Sequence, residues 1–468
     1  MRRIGIDVGG TNTDAVLIED GKVAGAVKAP TSEDVTTGIL DSLKALGATG
    51  VLKGKKIDGV MIGTTHFINA VVQRRHLTRV GALRLGMPAS ASLPPFCDWP
   101  EDLADLVRGG VWMVEGGHEY DGRLFMPLDE AAVTKSAEEM KARGLKSVAI
   151  SAIFSPLDPT HEKRAAELVA KVIPDAIITC SSDLGRIGLL ERENAGLLNA
   201  ALADLSRDTI AAFEKAIRDS GIAAPLFITH NDGTVAEASQ ARRLPVYSFA
   251  SGATNSMRGA AYLSGLSDAM VIDVGGTTTD VGQLKNGFPR EANSVVKVGG
   301  VRTLFRMPDL LSIGLGGGSH VQLDPLKVGP ISVGYRLLRD GIAFGGKQLT
   351  TTDVAIAAGV LTLGDKAKVA HLDAATCKKV FAEAARLSEE AIDRMKTEAG
   401  DVPLIAVGGG AFLIPEKLPG VSKVIHVQHG DCANAVGAAI AQVSGECDQI
   451  FKDMTRNEAL AAAQGIAN

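Results

Sequence analysis

The sequence contains no Cys-x-x-Cys pair, and its five cysteines, at positions 97, 180, 377, 432 and 447, are odd in number and widely scattered. That spacing indicates neither a structural zinc knuckle nor a disulfide scaffold. No Gly-x-x-x-x-Gly-Lys-Ser/Thr loop occurs, so a P-loop is excluded. No Gly-x-Gly-x-x-Gly follows the first apolar strand, which removes a Rossmann unit. His161-Glu162 lacks the second histidine of a zinc-protease helix. The chain runs from Met1-Arg2-Arg3 directly into Ile4-Gly5-Ile6-Asp7, without the apolar stretch of roughly 7–15 residues that a secretory signal needs. Nowhere do about 18 uncharged apolar residues run together. The expectation is a cytoplasmic protein without a membrane span. A basic excess is also missing: 49 Lys and Arg against 54 Asp and Glu give a net charge of −5, which argues against a nucleic-acid partner.

What is present is apolar residue and glycine. With 46% hydrophobic and 22% charged residues, disorder is excluded. A length of 468 residues suggests roughly three lobes. The 53 glycines fall in short clusters, where chains turn tightly around ligands. Residues 4–8, 15–20 and 23–29 read as strands, with a turn at Asp20-Gly21; 32–47 reads as a helix opened by Ser32 or Asp34, and 59–63 as a fourth strand. The proline-bearing stretch 86–103 reads as irregular. Residues 128–181 then read helix, strand, helix, strand, as in a smaller inserted α/β lobe. Residues 189–219 read as one or two helices, and 225–233 and 245–252 as strands ending in loops. The expected division is 1–80, an inserted lobe at 81–182, a continuation at 183–265, and a second lobe at 266–468.

The organising feature is a repeat. Ile-Asp-Val-Gly-Gly-Thr-x-Thr-Asp occupies residues 6–14 and again 272–280, with Asn12 replaced by Thr278. Two copies so far apart imply two similar α/β domains, each with the same strand–turn–strand corner. Adjacent glycines let backbone pass close to an oxyanion and offer N–H groups as an anion nest. The corner residues Gly9, Gly10, Thr11, Asn12 and Thr13, and Gly275, Gly276, Thr277, Thr278 and Thr279, are therefore candidates for holding a phosphate chain. Asp7 and Asp273, at the strand ends, could hold Mg²⁺ that binds the phosphates. A bare hairpin would explain the glycines, but neither the aspartate before them nor the threonines after them. Gly316 and Gly317 form a further candidate cluster. Gly408, Gly409 and Gly410, after the strand PLIAV, form a candidate adenosine loop.

This duplicated corner resembles that of the actin/hexokinase/Hsp70 ATPase superfamily. More closely, GTTHFINAVVQR (63–74), FSPLDPTHEKRAAEL (154–168), LLERENAGLLNAAL (189–202) and SGATNSMRGAAYLSG (251–265) resemble the A-type subunit of the hydantoinase/oxoprolinase family. The resemblance implies duplicated ribonuclease-H-like domains, ATP and Mg²⁺ as cofactors, and hydrolysis of a hydantoin, 5-oxoproline or lactam through phosphorylation of the amide carbonyl. It also implies a separate B-type subunit, because both subunits fused would need a far longer chain; self-association stays open. The sequence departs from the family at Asn12, at Ile62 before Gly63-Thr64-Thr65, and after Arg84. The alternatives are a small-molecule kinase and a non-catalytic nucleotide-binding partner subunit.

On the acceptor side, His66, beyond a strand end, is a candidate base or carbonyl-orienting group, with Asn69 beside it; a helix-capping histidine is the competing reading. Glu193 is a candidate for substrate or metal, against a solvated helix start. His230 and Asp232 end a strand and could bind a metal or share a proton, although an Asn-Asp-Gly turn accounts for much of that pattern. His320 and Asp324 are expected to line the same cleft.

Overall fold

A computed structural model describes residues 1–468 except 10–11, 31–34, 55, 186, 293–295, 446, 448–450 and 452. Ile4, Ile6 and Val8 alternate into the core along β1 (Arg2–Val8), as a half-buried strand requires. β1 is followed by β2 (Asn12–Glu19) and β3 (Lys22–Pro30). Asp20 and Gly21, at φ 51° and 78°, supply the two left-handed positions of a tight hairpin. Next come α1 (Val35–Ala48), β4 (Gly59–Thr64) and α2 (His66–Gln73); Ser32 and Asp34, the expected openers of α1, lie outside the described residues.

A second sheet then begins. β5 (Val80–Met87), α3 (Glu101–Val107), β6 (Arg108–Glu115), α4 (Glu130–Ala142), β7 (Ser147–Ala152), α5 (Thr160–Val172) and β8 (Ile177–Cys180) form a parallel α/β unit in the order β6-β5-β7-β8. Its strands are buried between α4 and α5 on one face and α3 on the other. Of the stretch 86–103, residues 88–100 are turns and irregular as expected, while 101–103 open α3, whose Leu103, Ala104 and Val107 lie at helical spacing in the core.

The chain returns through α6 (Leu189–Ala201) and α7 (Ala203–Asp219) to β9 (Leu226–Thr229), β10 (Thr234–Glu237), α8 (Ala238–Arg243) and α9 (Ser251–Ser264). The strand expected over 245–252 is not formed. Residues 245–248 make a single tight helical turn, because Asn231 takes the place of a ladder partner. Its side chain accepts from Ala250 N at 2.7 Å and donates to the Val246 carbonyl at 3.2 Å.

The repeat then reappears as β11 (Ala269–Val274) and β12 (Thr279–Lys285), joined through Asn286 and Gly287 at φ 52° and 76° to β13 (Phe288–Pro289). After it come β14 (Val296–Val298), β15 (Val301–Thr303), β16 (Leu310–Ile313), β17 (Ser319–Leu323), β18 (Leu326–Ser332), α10 (Leu337–Asp340), α11 (Thr351–Ala357), α12 (Ala374–Met395), β19 (Val402–Val407) and β20 (Val421–His426). The last elements are α13 (Ala433–Ile440), β21 (Gln442–Val443) and α14 (Arg456–Ala467). The first sheet runs β21-β10-β9-β4-β1-β2-β3 and the second β13-β12-β11-β19-β20, with β16 also on β12. Each holds an antiparallel meander next to two parallel strands. This is a duplicated ribonuclease-H-like α/β fold of the actin/hexokinase ATPase type, with a small α/β insertion in the first lobe.

α13 leaves the second lobe and packs on α9 and on β1, β2 and β4 of the first. The approach is so close that a Cβ on Gly259 would strike the Ala433 carbonyl, and one on Gly437 the Asn255 carbonyl. Among the described residues no helix is long and apolar enough to cross a membrane.

Candidate functional site

The repeat produces two corners with one register. Asp7 lies opposite Asp14 and Asp273 opposite Asp280. Gly9 N donates to the Asn12 carbonyl at 3.1 Å, and Gly275 N to the Thr278 carbonyl at 2.9 Å. Gly10 and Thr11 lie outside the described residues. In the second corner Thr277 and Thr278 are exposed, and among the described residues the amides of Gly276 and Thr277 make no backbone hydrogen bond. That leaves two amide donors without a backbone acceptor, as an anion nest requires. Thr13 and Thr279 are fully buried; the Thr279 hydroxyl donates to the Leu315 carbonyl at 2.7 Å. It fixes the corner and does not face solvent.

The two strand-end aspartates are close enough to repel each other. Asp7 is buried; its Oδ2 accepts from Asn434 Nδ2 at 3.2 Å, and its Oδ1 has no hydrogen-bond partner. Burial, then the Asp14 and Asp273 charges, raise the Asp7 carboxyl to about 7, against the favourable Asn434 contact. Burial raises Asp273 to about 6, with Ser256 opposing and Asp280 adding repulsion. Two carboxylates that resist ionisation, one with an orphaned oxygen, fit a cation between them. Among the described residues no group of three or more His, Cys, Asp or Glu converges as a metal cluster; Mg²⁺ commonly takes one or two carboxylates and completes its shell with water and phosphate.

Several contributors were missed from sequence. Lys28 Nζ holds both oxygens of Asp14, at 2.6 and 2.7 Å, and donates to the Asp431 carbonyl at 3.1 Å. Burial works against the Lys28 charge, but Asp14 and its neighbours outweigh it and hold the ammonium above its ordinary range. Asn434 and Asn255 come from the two packed helices. The signal for Asp14 was available, since the aspartate recurs at the ninth position of the repeat; nothing local marked Lys28 or Asn434.

Gly408 follows β19 at φ 86°, and a Cβ there would collide with Asp273 Oδ1 and the Val274 carbonyl. Gly410 N donates to that carbonyl at 2.7 Å, while Gly409 faces open space. This loop therefore sits directly on the second corner. Gly316 and Gly317 act differently from expectation. Gly316 N is taken by Ser319 Oγ at 2.8 Å and Gly317 N by the Gly275 carbonyl at 3.0 Å, while Thr351 and Thr352 hydroxyls bind their carbonyls. They brace the corner and have no amide to offer a ligand.

On the acceptor side, only His66 reaches the edge of a corner. It opens α2 just beyond Thr64, which pairs with Val8, and its Nδ1 lies 2.7 Å from Thr64 Oγ1. Burial lowers its pKa, which favours a neutral imidazole. Asn69 is exposed one turn later, bonded to Thr65 Oγ1 at 3.2 Å. Glu193 is not an open ligand. It is buried in a bidentate pair with the fully buried Arg84 and also accepts from Ser151 Oγ at 2.5 Å. A buried cation this close claims the whole carboxylate, so the residue ties α6 to the inserted sheet.

His230 and Asp232 line a separate cavity of about 550 Å³ with Tyr247, Phe305 and Arg306. Asp232 Oδ1 closes its own turn onto Thr234, at 3.0 Å to the amide and 2.6 Å to the hydroxyl. Burial lowers the His230 pKa. Since β9 is two strands from β1, roughly 10 Å at ordinary strand spacing, this pair is not gathered with the carboxylates. His320 pairs across to Thr350 in the second lobe, and Asp324 is exposed in the turn between β17 and β18.

Two family models match the chain: "Hydantoinase/oxoprolinase N-terminal region" over residues 3–173 and "Hydantoinase/oxoprolinase" over 192–402. The sequence is 27% identical over 393 residues to caprolactamase subunit alpha of Pseudomonas jessenii, covering 77% of this chain and 55% of that protein. It is 26% identical over 396 residues to the acetophenone carboxylase gamma subunit of Aromatoleum aromaticum, covering 77% and 53%. The chain spans about half the length of these curated relatives. Among solved structures, ATP-dependent caprolactamase from Pseudomonas jessenii matches with a TM-score of 0.77 at 24% identity, covering 99% of this chain and 75% of that one. Nucleotide-free acetone carboxylase matches at 0.73 and 20% identity, with the same coverage.

Proposed function

Because the chain belongs to the hydantoinase/oxoprolinase family, we propose that it is the ATP-using part of an enzyme that activates the carbonyl oxygen of a cyclic amide or imide of hydantoin, 5-oxoproline or lactam type. The observation that carries this reading is the pair of corners, with Asp7 buried, Asp273 half-buried and near enough to raise the Asp7 pKa, and the Asp7 Oδ1 unpartnered. Amide resonance makes such a ring a poor electrophile. The chemistry ATP supplies is phosphorylation of that carbonyl oxygen, which makes the carbon electrophilic and the oxygen a leaving group. Asp7 and Asp273 would hold Mg²⁺, the corner amides and Thr277 and Thr278 would orient phosphate oxygens, and Gly409 would leave room for the nucleoside. Neutral His66 is placed to orient the acceptor carbonyl or to take a proton from it. Closure of the lobes about α9 and α13 would exclude water from the transferring group.

The partner is a separate subunit that completes hydrolysis; support comes from relatives whose names are those of subunits. A second reading, ATP-driven carboxylation of a ketone, is favoured by the acetophenone carboxylase match at nearly the same identity. Both would begin by activating a carbonyl oxygen.

The test is ADP release by the full chain with ATP and Mg²⁺, with and without its co-purifying partner. The panel is hydantoins, 5-oxoproline, lactams, ketones with bicarbonate, and sugars, with Asp7→Ala as control. ADP formation that depends on a cyclic amide and vanishes in the control is expected. Response to a ketone with bicarbonate selects carboxylation. A stable phosphate ester from a sugar would indicate a kinase, and silence with intact ATP binding a non-catalytic subunit.

A further inference from the structure

The inserted lobe carries a cavity that the corners do not use. In the order β6-β5-β7-β8, the chain leaves β5 through α3 on one face and β7 through α5 on the other. The loops after β5 and β7 therefore part at their carboxyl ends, the place where open parallel sheets form ligand crevices. A cavity of about 390 Å³ lies there, within the size range of small-molecule sites. Ser90 and Leu93 after β5, Ile153 and Phe154 after β7, and Leu189 at the start of α6 supply its walls.

One buried side chain on its wall keeps a polar atom without a hydrogen bond. His118 lines the cavity and is 5% exposed, and its Nδ1 makes no hydrogen bond. The bend that delivers it depends on Gly117, at φ 98°, where a Cβ would collide with Ile153. On the other side of the ring, His118 Nε2 lies 3.5 Å from Asp158 Oδ2. The carboxylate accepts only, so in the neutral ring it draws the imidazole proton to Nε2 and leaves Nδ1 as an acceptor. His161 does not supply the missing donor. Its ring lies tilted by 43° with its centroid 4.6 Å away, and its own Nδ1 is occupied by Gly117 N at 2.8 Å. Of the charged lining groups, Arg84 is held by Glu193 and Glu191 by Arg302 at 2.7 Å, so the Glu119 carboxylate sets the local sign.

We propose that this cavity binds a small uncharged molecule with an apolar body and one N–H or O–H donor, held by His118 Nδ1. The inference stands apart from nucleotide use. It is tested by saturation-transfer NMR on the full chain without ATP, using 2-piperidone, N-methyl-2-piperidone and cyclohexanecarboxylate. Saturable binding of 2-piperidone is expected. The N-methyl analogue and the anion should bind about tenfold or more weakly, as loss of one buried hydrogen bond predicts. His118→Ala should weaken 2-piperidone to the same degree. Ala89→Trp, from an exposed loop position on the cavity wall, should block it without touching the core. Gln240→Trp, in the other cavity, should leave it unchanged. Absence of saturable binding, equal affinity for the N-methyl analogue or the anion, or indifference to Ala89→Trp would overturn the assignment.

Discussion

The two corners share sequence and register, yet their third strands differ. Opposite Asp14 stands Lys28 on β3; opposite Asp280 stands Ser312 on β16. One aspartate is therefore held as an ion pair and the other as a hydrogen-bonded carboxyl, and burial pushes the pKa of both upward. The glycine beside each strand-end aspartate also differs. A Cβ on Gly63 would meet Asn255 Nδ2 at 2.6 Å and Asp7 Oδ1 at 3.2 Å, both ends of side chains, whereas Gly408 is pressed against backbone at positive φ. Duplication preserved the glycine–threonine turn and let its supports diverge.

The largest expected effect tests whether the corners act as equals. Asp7→Ala and Asp273→Ala should each lower substrate-dependent ADP release by about 100-fold or more, the scale of losing a preorganised electrostatic group; a large loss in only one would break the equivalence. The glycines sharpen the contrast next. Gly408→Ala should cost about 2–3 kcal/mol in urea unfolding, from overpacking and positive φ, and Gly63→Ala about 1 kcal/mol, because side-chain ends can move.

Titration comes third. With folded values near 7 and 6 and unfolded ones near 4, the folded state binds more protons than the unfolded between those limits. The contribution of these two carboxyls to stability should thus fall as pH rises from about 4 to 7 in the absence of Mg²⁺. Asp7→Asn should raise the pH 8 stability by about 1–3 kcal/mol and remove the Mg²⁺-dependent rise in Tm. An Asp7→Asn stability gain that does not grow over this range without metal would contradict the buried-pair picture. Smallest is the third-strand difference: Lys28→Ala should cost about 1 kcal/mol and Ser312→Ala about half that, read from paired denaturation curves.

Much of this architecture was legible because its signals are local. A short apolar run marked β1, the Asp20-Gly21 turn marked the first hairpin, and the nine-residue repeat implied duplicated domains. Side-chain roles were less legible. Glu193 looked like a ligand because sequence does not show that Arg84, 109 positions earlier, lies against it. Gly316 and Gly317 looked like a further ligand-binding cluster until their amides proved to be occupied. His230 and Asp232 were adjacent to a strand end, but two strands from the corner.

By itself the sequence determined the repeated corner, its turn chemistry and the resemblance that led to a family, since each depends on residues only a few positions apart. Only the tertiary structure decided which carboxylates remain without a cation beside them. That choice depends on burial and on partners such as Asn434, 427 positions from Asp7, and a separation of that size leaves no periodic trace in the chain.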